Sequence, residues 1–336
     1  MQDRSFIGIK STGKLRRKLA GAAVLAGAMA LCTTPMAVAA PGVDNQDINS
    51  KKISQSVGQD AIEYWTPERM EGAKSADSLI AGKTGSASNV AAGKPAKIKG
   101  ESASRSVSSG KQILKGKPAK PTSEPTVSHI GKVFFTLGGA DYVCSGNAVV
   151  SANESTVSTA GHCVNEGPGA FATKWVFVPA YDNGNAPYGT FAATELVAPT
   201  EWTSGGDITY DTAFAVVSDQ SGISLTDQVG GSGVAFNQPR GEFYTAFGYP
   251  AASPFNGQNL ESCSGSASDD PYGQSMSQGI SCDMTGGSSG GPWFLGTGSD
   301  GFQNSVNSFG YGSVRNTMFG PYWGSVIEQA YQEAQN

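Results

Sequence analysis

Residues from about 129 onward predict an all-β fold, an antiparallel sandwich or barrel, with one helix packed on at the C-terminus. Short runs rich in β-branched and aromatic residues recur there, and Gly, Asn, Asp and Pro punctuate them. About eight to twelve strands with turns this frequent are the pattern of an all-β domain. The last segment changes period: Val326, Ile327, Ala330, Tyr331 and Ala334 fall at helical spacing. Ser325–Ala334 is therefore expected to lay an apolar stripe on the β core.

The 336-residue chain opens differently. Residues 1–40 hold six Lys/Arg and one Asp, with a 13-residue apolar run from Leu19 to Leu31. That run falls short of the about 20 residues a membrane span needs. Ala37-Val38-Ala39 supplies small residues for cleavage, so 1–39 reads as a signal peptide and the protein as secreted and extracellular. Residues 40–126 read as a prosegment. Only 44–80, with Ile62, Tyr64, Trp65 and Met70, offers material for a short helix. From Lys83 to Lys120 nine basic residues face one acidic residue, Glu101, with few large apolar side chains. Such a stretch buries too little to offset its chain entropy, and the prosegment is expected to be mostly disordered. In the remaining domain, 127–336, strands are expected at 132–137, 142–150, 156–159, 175–180, 190–197, 213–217, 243–248 and 305–309.

Charge excludes some partners. From His129 to the end, four basic residues stand against eighteen acidic ones, a formal −14 that the whole-chain value of −5 hides. So acidic a surface repels nucleic acid and anionic membranes, while the basic run upstream is its natural intramolecular partner. Beyond the signal peptide four cysteines remain, Cys144, Cys163, Cys263 and Cys282. An even number in an exported chain reads as disulfides. Three pairings are open, of which sequence neighbours make Cys144–Cys163 and Cys263–Cys282. A zinc site is the rival, disfavoured because no C-x-x-C pair occurs.

Three motifs carry chemistry. The stretch CDMTGGSSGGPW at 282–293 sets a Gly/Ser run between a cysteine and a Pro-Trp pair. A flexible linker is the ordinary reading of Gly and Ser; an active-site turn, where glycines let N–H groups converge on one point, is the competitor. One of only two histidines, His162, lies in STAGHC at 158–163. Asp211 stands at the mouth of the apolar strand DTAFAVV at 211–217. A nucleophilic serine needs a base, a carboxylate to hold that base, and backbone N–H groups aimed at the oxyanion. Ser289, His162, Asp211 and the N–H groups of Gly287 and Ser289 supply that set. Asp207 reads as a turn residue.

With TAGHC, DTAF and GSSGGP in the order His, Asp, Ser, residues 127–336 resemble the chymotrypsin/trypsin-like serine peptidases. The FGYP stretch at 247–250 and the signal-plus-basic-prosegment layout bring them nearest the bacterial secreted, glutamyl-endopeptidase-like branch. The resemblance implies two packed antiparallel six-stranded β-barrels with the triad between them, and a monomer acting on protein or peptide substrates without cofactor or metal. It implies that Cys144 and Cys163 bracket the catalytic histidine, that Ser308-Phe309-Gly310 pairs with substrate backbone, and that Asp283 stands where a pocket carboxylate selects Arg or Lys. Two departures matter: Ser288 stands where trypsin-like zymogens keep Asp, and Asn307 where glutamate-selective members carry His. The alternative class is a secreted binding module that kept the double barrel without its chemistry.

Overall fold

The computed structural model describes residues 47–86, 90, 93–104 and 122–336. The expected signal peptide, 1–39, and residues 105–121 of the expected prosegment lie outside the described residues. The elements below all belong to one compact unit.

The N-terminal segment contributes β1 (Ile48–Lys52), α1 (Gln55–Tyr64), α2 (Pro67–Gly72), β2 (Lys74–Ser75), a 3-10 turn at Ala76–Leu79, β3 (Ala96–Ile98) and β4 (Thr122–Glu124). Next come β5 (Ile130–Leu137), β6 (Ala140–Val149), β7 (Thr156–Thr159), β8 (Thr173–Pro179), β9 (Phe191–Pro199) and β10 (Ala213–Val217). These six strands pair antiparallel in the order β9-β10-β7-β6-β5-β8, and β8 returns to β9, closing a barrel. Alternation along β5 shows why. Val133, Phe135 and Leu137 enter the main core, while Ile130 and Phe134 join a second cluster with Phe247, Tyr249 and Phe294 of the other half. Both faces are buried, so the strand reads as nearly continuous apolar sequence.

The second half is built from β11 (Gly233–Phe236), β12 (Phe243–Gly248), β13 (Leu260–Ser266), β14 (Ser268–Asp269), β15 (Gln278–Ser281), β16 (Pro292–Leu295), β17 (Phe302–Val306) and β18 (Thr317–Gly320). They form an open sheet, β3-β11-β17-β16-β12-β13-β4, and a three-stranded sheet, β14-β15-β18. Ladders therefore close the first barrel alone. Helices α3 (Thr200–Thr203) and α4 (Leu225–Val229) are short connections. Helix α5 spans Ser325–Ala334, as its periodicity predicts, and buries Ile327, Ala330, Tyr331 and Ala334. Tyr331 packs on Phe214 and Phe236, one aromatic from each half.

The expectation of a mostly disordered 40–126 is corrected wherever that region is described. Strand β1 pairs with β9, β2 with β6, β3 with β11 and β4 with β13. Trp65 is buried against Phe134, and its indole donates to the Lys174 carbonyl at 2.6 Å. Order here comes from backbone pairing at sheet edges, which needs little apolar side chain. Composition alone misses that source.

Candidate active site

His162 lies on a 3-10 turn, Gly161–Cys163, directly after β7. Asp211 follows another, Ile208–Tyr210, directly before β10. The β7–β10 ladder pairs Thr159 with Ala213, which brings both turns to one end of the barrel. Asp211 Oδ1 accepts the His162 backbone N–H at 2.7 Å, and Oδ2 lies 2.8 Å from Nδ1. Ser308 Oγ donates to Oδ2 at 2.5 Å. Both His162 and Asp211 are 0% exposed. A buried carboxylate satisfied by three donors holds the ring in the tautomer with Nδ1–H, leaving Nε2 as the acceptor.

The small residues of TAGHC have a steric cause. A Cβ on Gly161 would come within 2.9 Å of both Asp211 Oδ1 and Trp202. Trp202 packs edge-on to His162, centroids 6.4 Å apart, and its indole donates to the Asn165 carbonyl. The Cys144–Cys163 disulfide pins the histidine turn to β6, and Cys263–Cys282 ties β13 to the segment leading to Ser289. Cys144, Cys163 and His162 bring ligand atoms within 4.8 Å of one another. The sulfurs are bonded to each other and offer no thiolate to a metal.

Ser289 is 3% exposed and sits in the turn between β15 and β16. The Gly/Ser run is tied down on every side. Ser145 donates its N–H to the Ser289 carbonyl at 2.7 Å and its hydroxyl to the Gly287 carbonyl at 2.9 Å. Gly290 N–H reaches the Asn307 carbonyl at 2.7 Å. The Asn307 amide donates to the carbonyls of Phe247 and Ser288, and its oxygen accepts the Trp293 indole. Gly287 and Gly290 take φ of 97° and 81°, which only glycine adopts without strain. Ser288, at the position of the missing Asp, donates to the Thr285 carbonyl at 2.8 Å and is satisfied locally.

His162, Asp211, Ser289 and Ser308 thus meet between the two halves. Phe309 stacks on Phe319 at 5.2 Å, and Gly310 is exposed beside them. Asp283 is half-buried, with Oδ1 turned inward and lacking a hydrogen-bond partner. Asp207 caps the turn before Asp211 by accepting the Thr209 N–H. The roles of Ser145, Trp202 and Asn307 carry no motif of their own. So does the least expected contact, in which Ser289 Oγ donates not to His162 but to Asp77 Oδ1, at 3.3 Å. His162 Nε2, though buried, has no partner.

No family model matches the chain. Among solved structures it is similar to the protease Anisep of Arthrobacter nicotinovorans: 64% identity, TM-score 0.63, covering 64% of this chain and 99% of that one. It is likewise similar to a thermostable serine protease, AL20, from an extremophilic microorganism: 57% identity, TM-score 0.60, covering 62% and 97%. A Glu endopeptidase shares the fold at 19% identity and TM-score 0.51, covering 66% and 99%. A curated relative, an extracellular metalloprotease of Bacillus subtilis (strain 168), is 28% identical over 138 residues. That match is 41% of this chain, which spans about two-fifths, 40%, of the relative's length. Fold and these likenesses together define a peptide hydrolase. The chain belongs to the trypsin-like serine proteases.

Proposed function

We propose that this protein is a secreted serine endopeptidase in which Ser289 is the nucleophile, His162 the general base and Asp211 the group that orients it. The observation that carries the reading is the fully buried His162–Asp211 pair, joined by Ser308 from the second half, with the Ser289 carbonyl 3.8 Å from the sulfur of neighbouring Cys163. When a peptide enters, Ser289 Oγ attacks its carbonyl carbon and the hydroxyl proton passes to His162 Nε2. Asp211 stabilises the imidazolium so formed. The N–H groups of Gly287 and Ser289 face the oxyanion, a contribution of about 3 kcal/mol to the barrier for each donor. The C–N bond then breaks as His162 returns the proton to the departing amine. Water repeats the cycle: its proton goes to His162 and its hydroxyl to the acyl carbon, and the acyl C–O bond breaks as His162 returns that proton to Ser289 Oγ, freeing the acid product.

Residues 1–39 act as the signal peptide and 40–126 as a prosegment in this reading, leaving 127–336 as the enzyme. The near end-to-end match of two solved proteases to less than two-thirds of the chain supports that division. Ser308, Phe309 and Gly310 form the substrate-binding edge, with Ser308 also holding Asp211. Asp283, whose inward oxygen lacks a partner, is the residue that reads a basic side chain before the cleaved bond. Asn307 commits its amide to the carbonyls of Phe247 on β12 and Ser288 in the Ser289 turn, which leaves nothing at that position to grip a glutamate. The test is hydrolysis of casein and of Arg, Lys and Glu peptide esters by the processed enzyme and its Ser289→Ala variant. Turnover by the parent with loss of about a millionfold in the variant is expected; wild-type hydrolysis by Ser289→Ala removes the assignment.

A further inference from the structure

The segment that ends β2 does more than decorate the first barrel. We propose that Lys74–Leu79 is an intramolecular plug of the catalytic cleft: a carboxylate ligand for the nucleophile, built so that it is not cut. The proposal rests on Ser289 being the nucleophile and names how that site is kept silent in the intact chain.

Four observations converge on it. Asp77 Oδ1 accepts the Ser289 hydroxyl, and Asp77 Oδ2 and Ser75 Oγ press so closely on Gly286 that a Cβ there would overlap both. Ala76, between them, is fully buried. Upstream, β2 is anchored to β6 beside the Cys144 disulfide. Downstream the chain crosses the histidine side of the cleft. Lys83 Nζ sits 5.4 Å over Trp202 and donates to the Gly167 carbonyl. Next the Thr84 carbonyl accepts the Ile208 N–H, and Ser86 N–H reaches Asp207 Oδ1. One continuous stretch therefore touches the nucleophile turn, the tryptophan beside the histidine, and the turn that carries Asp211.

Its chemistry is that of an occupant and not of a substrate. Peptide cleavage needs an amide carbonyl against Ser289 Oγ and a leaving amine near His162 Nε2. Here a carboxylate faces Ser289, and its charge and resonance make it a poor electrophile. The Asp77 carbonyl is engaged elsewhere, accepting the Ile80 N–H at 3.2 Å within the 3-10 turn. Ser75 Oγ accepts the Asp77 N–H and fixes the start of that turn. With the nucleophile's proton given to Asp77, the Ser289–His162 hydrogen bond is unmade, and the 0% exposure of His162 shuts out a substrate. Asp77 itself keeps a solvent-facing side, so grip comes from the anchored flanks and register from the carboxylate.

The experiment is fluorophosphonate labelling of the full chain, read at short times on the intact-length band of a gel. Asp77→Ala removes the ligand, and Ala76→Arg forces a large cation into the buried position. Arg69→Ala, on the same segment, breaks only contacts remote from the cleft, with Asp141 and with the Tyr64 ring. Loss of one charge-assisted hydrogen bond predicts labelling about tenfold faster for Asp77→Ala, with Ala76→Arg at least as fast and Arg69→Ala unchanged. Intact wild-type chain that labels as fast as Asp77→Ala overturns the plug. Labelling that persists in Ser289→Ala overturns instead the nucleophile on which it rests, so the two failures are distinct.

Discussion

Lys132 carries a cation into the interface between the halves. It is 2% exposed, and its Nζ has one hydrogen-bond acceptor, the Gly257 carbonyl at 2.9 Å. The rings of Tyr181 and Phe134 face it at 4.3 and 5.0 Å. Burial without a paired carboxylate pulls its pKa from the ordinary 10.5 to about 7. The folded chain thus binds fewer protons than the unfolded chain between those values, so stability rises with pH across that window. The penalty is absent above the unfolded pKa and complete below the folded one. At about 1.4 kcal/mol per pH unit it reaches at most about 4–5 kcal/mol at pH 7. The Lys132→Met substitution keeps much of the volume and removes the charge. Built on Ser289→Ala to prevent self-digestion, it is expected to raise Tm at pH 7 and to flatten the rise in Tm from pH 7 to 9. Two pH units correspond to about 5–10 °C for a chain of this size. Parallel Tm–pH curves for the two proteins would show that Lys132 stays protonated and is well accommodated.

Asp211→Asn in the processed enzyme is expected to lower kcat by about 10³–10⁴ with KM little changed, because the amide presents the wrong partner to Nδ1; steady-state kinetics read both. Ser308→Ala removes one donor to the same carboxylate and is expected to cost about tenfold in kcat. Non-reducing peptide mapping should recover Cys144 joined to Cys163 and Cys263 to Cys282. Opening either loop by paired Cys→Ala substitution should cost about 3 kcal/mol in denaturant unfolding. Asn307→Ala frees the Ser288 carbonyl and the Trp293 indole, and is expected to lower Tm and kcat together, since the turn it clamps carries Ser289, the proposed nucleophile.

Strands β5 to β10 were legible because both their faces are apolar or alternate cleanly. Strands 156–159, 213–217 and 243–248 and helix α5 fall where periodicity puts them. Strands β13 and β15, LESCSGS and QGIS, were not legible, since they are polar and Gly/Ser-rich and owe their order to ladders and to the Cys263–Cys282 bond. The expected strand at 305–309 begins three residues early, at Phe302, and ends at Val306. Beyond it Asn307 and Ser308 leave the ladder and turn their side chains to the site. His162, Asp211 and Ser289 announce themselves by motif. Ser308 as a partner of Asp211 does not, because the two are 97 positions apart and a lone serine has many uses. Asp77 was hidden more deeply. Nothing local distinguishes it, and only the edge pairing of β2 delivers its carboxylate to a serine 212 positions away.

The central claim is that Ser289 is the acylated residue, and the most direct measurement is the site of covalent modification. Processed enzyme treated with a fluorophosphonate and digested for mass spectrometry is predicted to carry a single adduct, on Ser289, together with complete loss of hydrolysis. An adduct on Ser288 or on another residue, or full activity with Ser289 modified, would contradict the account.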